Sequence, residues 1–225
     1  MRRFLFENGL SLVFGALLLG ALAGQSVAGL IDANEEAAAH GEPTMSYGRY
    51  LLSSQFGVAL LENWQSEYLQ FFLFVLATVW LVQRGSNESK TLEDAGTESD
   101  QKQKVGRFAG PRAPAWARRA NGWRLHLYSN SLLLVMGAIF LLSWFGQSVT
   151  GRTVYNEDQR AHDQATVSWI GYLGRTDFWE RSLQNWQSEF LAIGTMAVFT
   201  IYLRQRGSPE SKPVGSAHDE TAASG

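Results

Sequence analysis

Four apolar blocks, Gly9–Ile31, Tyr68–Val82, Ser131–Gly151 and Phe190–Leu203, alternate with polar stretches along the chain. The first offers about 23 uncharged residues, enough as a helix rising 1.5 Å per residue to cross about 30 Å of hydrocarbon, and the third is of similar length. The second and fourth are shorter. Their wholly apolar parts hold only about 14–15 residues, or about 22 Å of helix. To cross a bilayer each must begin earlier and take in part of Asn63-Trp64-Gln65-Ser66-Glu67 or Asn185-Trp186-Gln187-Ser188-Glu189. That shortfall moves Glu67 and Glu189 to the hydrocarbon boundary. The pattern predicts an all-α membrane protein with four transmembrane helices.

The blocks belong to a duplication. Leu5–Lys90 realigns without a gap on Leu127–Lys212 at a constant offset of 122, and roughly four positions in ten are identical. Gly24-Gln25-Ser26-Val27 returns as Gly146-Gln147-Ser148-Val149, and Gln83-Arg84-Gly85-Ser86 as Gln205-Arg206-Gly207-Ser208. The predicted organisation is therefore a first transmembrane hairpin at 1–90, a cytoplasmic flexible linker at 91–122, a second hairpin at 123–212 and a disordered tail at 213–225. The apolar run after Met1-Arg2-Arg3 has the outline of a secretory signal. Its counterpart lies mid-chain with the same Gly-Gln-Ser-Val ending, so it is read as a retained span.

Charge sets the orientation. Arg2 and Arg3, the middle loop and the stretch after the fourth block hold most of the cations, whereas Asp32–Leu61 holds only Arg49. The positive-inside rule then puts both termini and the linker in the cytoplasm, with the hairpins as parallel repeats about a pseudo-two-fold along the membrane normal. The linker passes from acidic (Glu88–Asp100) to basic (Lys102–Arg124), and its end, with Trp116, Arg118, Arg119, Trp123 and Arg124, suits anionic headgroups. A net charge of −2 gives no footing for nucleic acid, and the lack of cysteine removes disulfides, thiolate ligands and thiol nucleophiles. The external loops are expected to be structured. Asn34 is placed to cap a short helix ended by Gly41 and Pro43. Tyr47, Tyr50 and Leu51, matched by Trp169, Tyr172 and Leu173, give a second short helix one apolar face in the outer interface.

Candidate chemistry gathers at repeated polar positions. Asn63 and Glu67 share a helix face, as do Asn185 and Glu189, and Gln25-Ser26 and Gln147-Ser148 end the partner spans on the same side. The duplication would gather these eight residues about one axis, either as an intramembrane polar site or as hydrogen bonds that fix helix packing. Glu36 with His40, beside Glu35, and Asp158 with His162, beside Glu157, have the i, i+4 spacing of metal ligands, but two per copy are too few for a site. Gln83–Ser86 and Gln205–Ser208 read as helix C-caps with charge anchors, or as a docking motif. Ala16, Gly20, Gly24 and Ala28 form a small-residue stripe that favours close helix packing in the first hairpin, whereas the third span keeps only Ala138 and Gly146 and has Leu142 and Thr150. No phosphate loop, serine-nucleophile, HExxH or haem motif is present, so nothing positive supports an enzyme and no cofactor is expected.

The tandem Asn-Trp-Gln-Ser-Glu motifs, each followed by a span and Gln-Arg-Gly-Ser-x-Glu-Ser-Lys, resemble an uncharacterised family of small bacterial integral-membrane proteins classed as a domain of unknown function. The resemblance implies a bacterial membrane protein and supplies no activity, and the spans and charges make the expected location the inner membrane, crossed several times. The expected role is a binding, scaffold or envelope accessory protein. Its expected partners are the lipid bilayer and either a second copy or another membrane protein. The alternative is a small transporter or channel-like protein with a polar site at Glu67 and Glu189.

Overall fold

A computed structural model describes residues 2–119 and 121–222. Among these residues there are helices, turns and loops and no strand. The helices are α1 (Arg2–Glu7), α2 (Gly9–Ala39), α3 (Tyr47–Leu51), α4 (Ser54–Trp80), α5 (Trp123–Ser129), α6 (Ser131–Ala161), α7 (Trp169–Leu173) and α8 (Thr176–Tyr202), with 3-10 turns at Leu92–Asp94 and Gly106–Phe108.

Two of these, α2 and α6, are long and apolar enough to cross a membrane by length and composition, not the four that the apolar blocks predict. α4 and α8 have the length, at 27 residues each. Their first halves are the reason they fall short: both carry Asn-Trp-Gln-Ser-Glu, and α8 adds Asp177, Glu180 and Arg181.

Residues matched at the offset of 122 take the same local structure. Each half begins with a short helix, α1 or α5, that breaks at an asparagine whose Nδ2 donates to the carbonyl four residues back: Asn8 to Phe4 and Asn130 to His126. A 31-residue helix follows in each. Both long helices close with the same pair of reverse bonds. Gly41 and Glu42 donate to Ala38 and Ala37, and Asp163 and Gln164 donate to Arg160 and Gln159. The residue beyond the cap is left-handed in both, glycine at φ +70° in the first copy and Asp163 at φ +55° in the second. Asn34 is therefore not a cap, because α2 runs unbroken to Ala39 through Glu-Glu-Ala-Ala-Ala, good helix formers that give no reason to stop.

The chain divides into two compact units, Met1–Leu61 with Gly146–Leu173, and Glu62–Phe145 with Gly174–Gly225. In the first unit α3 lies on α2, with the Tyr50 side chain 5% exposed against Gly29, where an added Cβ would stand 2.0 Å from the phenolic oxygen. Tyr172, 1% exposed, covers Gly151 in the same way. The start of α4 meets α6 at small residues, Gly57 against Thr150 and Gly146 against Leu61. The close contacts thus involve Gly29 of α2 and glycines of α4 and α6, while Gly20 and Gly24 of the α2 stripe have nothing within 4 Å of a Cβ. Small residues permit a close approach without creating one.

The second unit is centred on Trp144. Its ring lies 5.6 Å from Phe140, 5.8 Å from Phe178, 6.0 Å from Trp179 and 5.7 Å from Trp186, and its Nε1 donates to the buried Ser182 hydroxyl. Stacked and edge-on pairs of this kind are each worth about 0.5–1.5 kcal/mol beyond their burial.

Candidate functional site

The repeated polar residues fall into three groups, and two of them make the same bonds in both copies. In the first unit Ser26 Oγ lies 2.7 Å from Tyr47 Oη, and the counterpart Ser148 Oγ accepts from Trp169 Nε1 at 2.9 Å. The serine of Gly-Gln-Ser-Val therefore holds the aromatic that opens the short helix α3 or α7. Asn34 clasps the loop with two bonds to residue 45, Met45 N–H to Oδ1 at 2.7 Å and Nδ2 to Met45 O at 3.1 Å. Asn156 does the same to Val167 at 2.8 and 2.9 Å. One side chain thereby satisfies two backbone groups that a turn would otherwise leave open.

His40 and His162 are also structural in geometry. Each ring Nδ1 sits 2.9 Å from the backbone carbonyl four residues earlier, Glu36 and Asp158, with Asp158 Oδ1 a further 3.4 Å contact for His162. Among the described residues no three His, Asp or Glu come together. Gln25 is half-buried, while Gln147 is 1% exposed with neither its Oε1 nor its Nε2 bonded.

The second group lies beyond α4 and α8 (Gln83–Lys90 and Gln205–Lys212), and it is the same small fold twice. Ser86 N–H donates to Gln83 O at 3.1 Å and Ser208 N–H to Gln205 O at 3.2 Å, with Gly85 and Gly207 at φ +87° and +82°. Such a turn needs positive φ at its third residue, which glycine adopts without strain. Ser89 Oγ accepts from Gln83 N–H and donates to Lys90 O, and Ser211 Oγ does likewise between Gln205 and Lys212. Since α4 ends at Trp80 and α8 at Tyr202, these glycines are turn residues beyond the helices and not the C-caps expected from sequence. The terminal lysine of each turn staples the next stretch of chain. Lys90 Nζ donates to Gly96 O and pairs with Glu98 at 3.0 Å. Lys212, 1% exposed, gives Nζ to the carbonyls of Ala217, His218 and Glu220, and burial lowers its pKa, with Arg204 adding to the effect. The tail then reaches the first turn: Gly85 N–H donates to Thr221 Oγ1, Ala222 N–H to Ser86 O, and Arg84 pairs with Asp219 at 3.1 Å.

The two copies of this turn meet at equivalent carboxylates. Burial, and then the neighbouring Glu210 carboxyl through charge and hydrogen bonding, raise the pKa of Glu88. Glu88 and Glu210 line one end of a cleft of about 190 Å³ with Gln70, Phe71, Phe74 and Met196.

The third group is where the copies part. Gln65 and Ser66 are buried at 0% and 1%, whereas Gln187 and Ser188 are exposed. Gln65 Oε1 accepts from Trp186 Nε1 at 2.7 Å, and its Nε2 donates to Glu62 O. Ser66 Oγ donates to Asn63 O at 2.9 Å and reaches Glu189 Oε1 at 3.4 Å, and Gln70 Nε2 donates to Glu189 O at 3.3 Å. Asn185 Nδ2 donates to Arg181 O, while Asn63 and Glu67 are exposed. Sequence reasoning missed Glu62 and Arg181, which pair at 3.5 Å, because neither position keeps its residue type in the other copy (Gln184 and Ala59). The eight expected residues are thus divided. Ser66 brings Glu189 into the α4–α8 cluster, Ser26 and Ser148 hold the short helices α3 and α7, and Glu67 is exposed.

An all-helical chain with two membrane-capable helices and a duplicated set of polar turns is the class these observations define. The chain belongs to the family described as domain of unknown function DUF6766, whose profile matches residues 1–223. No curated protein and no solved structure is significantly similar to it.

Proposed function

We propose that the chain is an integral membrane protein of the bacterial inner membrane that works as a binding or scaffold protein. Its four long helices all cross, as two parallel hairpins, with both termini and the linker in the cytoplasm. The observation that carries the reading is how the repeated polar groups are used. Ser26, Asn34, Ser148 and Asn156 fix external loops, Ser86, Ser89, Ser208 and Ser211 fix turns, and Gln65 bridges α4 to α8. Groups spent on one another define rigid surfaces at both ends and leave few for a moving substrate. Photo-crosslinkers at exposed Arg49 and Arg206, in native membranes, are expected to trap a discrete partner or a second copy. Recovery of the uncrosslinked monomer alone from both positions would contradict the reading.

One observation favours transport: Glu67 is exposed and Glu189 half-buried, with Ser66 bonded to the latter. Reconstituted protein that moves protons or cations, and stops when Glu67→Gln and Glu189→Gln are combined, would establish that reading over the first.

A further inference from the structure

From Gln101 to Asn156 the chain contains no Asp or Glu, and its first half holds Lys102, Lys104, Arg107, Arg112, Arg118, Arg119 and Arg124. Lys102 is neutralised by Asp94. The other six are exposed and, among the described residues, make no ion pair. Six unbalanced cations on one short segment call for an anionic counterpart.

The aromatics beside them say which kind. Trp116 contacts Trp123 and Tyr128, each at 6.4 Å between ring centres, and the Arg124 guanidinium lies 5.3 Å over the Trp123 ring. Arg107 sits 4.7 Å over Phe108 in the same manner. Trp123 is 68% exposed, which water would not favour for so large a ring. An open cleft of about 520 Å³ runs beside it, lined by Trp123, His126, Leu127, Asn130, Leu133 and Leu134. That lining crosses from α5 into the first turn of α6, one of the two membrane-capable helices. A free phosphate or a nucleic acid would use the arginines and leave the leucines wet. A phospholipid uses both, headgroup on the cations and acyl chain along Leu127, Leu133 and Leu134, with indoles at the level between them.

The other copy serves as a control. The counterpart of α5 is α1, where Arg3 is paired with Glu7 at 2.7 Å and the positions of Trp123 and His126 are Met1 and Phe4. Arg2, the counterpart of Arg124, is exposed and lies 6.0 Å over Phe6, but no indole and no run of further unpaired cations stands beside it, as they do in the second copy.

The geometry points to a binding site for anionic phospholipid, built by the linker segment Lys104–Arg124 and the α5–α6 junction. This deepens the membrane reading and rests on it. With Asn121→Cys as the single cysteine carrying an environment-sensitive dye, full-length protein in phosphatidylcholine nanodiscs is expected to respond as phosphatidylglycerol is added. Each arginine near the surface is worth about fivefold in affinity, so Arg118→Gln, Arg119→Gln and Arg124→Gln together are expected to weaken the response about 100-fold. The three Lys replacements, which keep charge and test for misfolding, are expected to retain most of it. Trp123→Ala is expected to reduce dye burial while leaving the salt dependence in place. An equal response to both lipids, or a triple Gln variant that behaves as the parent, would overturn the site. So would a single-stranded oligonucleotide that displaced the lipid signal, which would reassign the patch to nucleic acid. A chain that never enters nanodiscs would instead remove the membrane reading itself.

Discussion

The two copies of Asn-Trp-Gln-Ser-Glu have the same five residues and opposite environments. In α4 the Gln and Ser point inward to Trp186 and Glu189, and in α8 they face outward. The cause lies outside the motif. Trp144 gathers Phe140, Phe178, Trp179 and Trp186 around itself, and its counterpart in the first copy is the aliphatic Leu22. With a large ring to cover, α8 turns its half-buried Trp186 toward Trp144, and positions 187 and 188 then lie about 100° and 200° away around the helix. Trp64 has no such attractor and remains 38% exposed. At the flanking turns and loops the matched Ser and Asn residues make equivalent hydrogen bonds, because their partners lie close by in the chain. Identical sequence in the middle does not give equivalent bonds, because packing there is set by distant residues.

Substitutions that treat twins alike will break or sharpen this comparison. Gln65→Ala leaves the Trp186 indole N–H without its acceptor and opens a hole, so it is expected to cost about 3 kcal/mol. Gln187→Ala, on an exposed face, is expected to stay within about 0.5 kcal/mol. Unfolding in mixed detergent micelles measures both, and equal effects would refute the asymmetry. Asn156→Ala is expected to cost about 2–3 kcal/mol, since it orphans both backbone groups of Val167. Asn34→Ala, at a less buried position, is expected to cost about half that by the same reasoning, and melting of the two variants compares them.

Glu88 and Glu210 offer a pH test. The raised pKa of Glu88 means the folded state holds its proton more tightly than the unfolded chain does. The stability this contributes is present in full below the ordinary carboxyl value of 4.5 and is lost as pH rises through the raised value. Glu210→Gln removes the neighbouring charge, so it is expected to raise the melting temperature at pH 7 and to make little difference at pH 4. A constant difference across that range would show that the carboxyls do not interact. The smallest effect concerns the helix ends. Asp163→Gly gives the second copy the left-handed glycine of the first and is expected to stabilise by about 0.5–1 kcal/mol in thermal melts.

Much of this was legible in the sequence, for definite reasons. Helical spacing at Tyr47, Tyr50 and Leu51 announced α3, and Gly41 marked a helix end, although the helix it closes is the whole of α2 and not the short one expected after Asn34. Asn34 was misread because asparagine before Glu-Glu is equally suited to a cap and to a helical side chain that clasps a loop. Only the distance to residue 45 separates the two. Gly85 was misread for a similar reason, since glycine with positive φ serves helix caps and isolated turns alike. The Glu62–Arg181 pair and the buried lysine caged by tail carbonyls join residues whose partnership no regular spacing reveals.

The central claim is that both hairpins insert alike, although only α2 and α6 have the composition of membrane spans. Single cysteines at Glu42, Ser99 and Gln164 in this cysteine-free chain, labelled in spheroplasts with a membrane-impermeant maleimide, test it directly. Four crossings predict labelling at Glu42 and Gln164, with Ser99 reacting only after permeabilisation. Labelling at Glu42 and Ser99 with Gln164 protected would mean that only α2 and α6 cross, and would contradict the double hairpin.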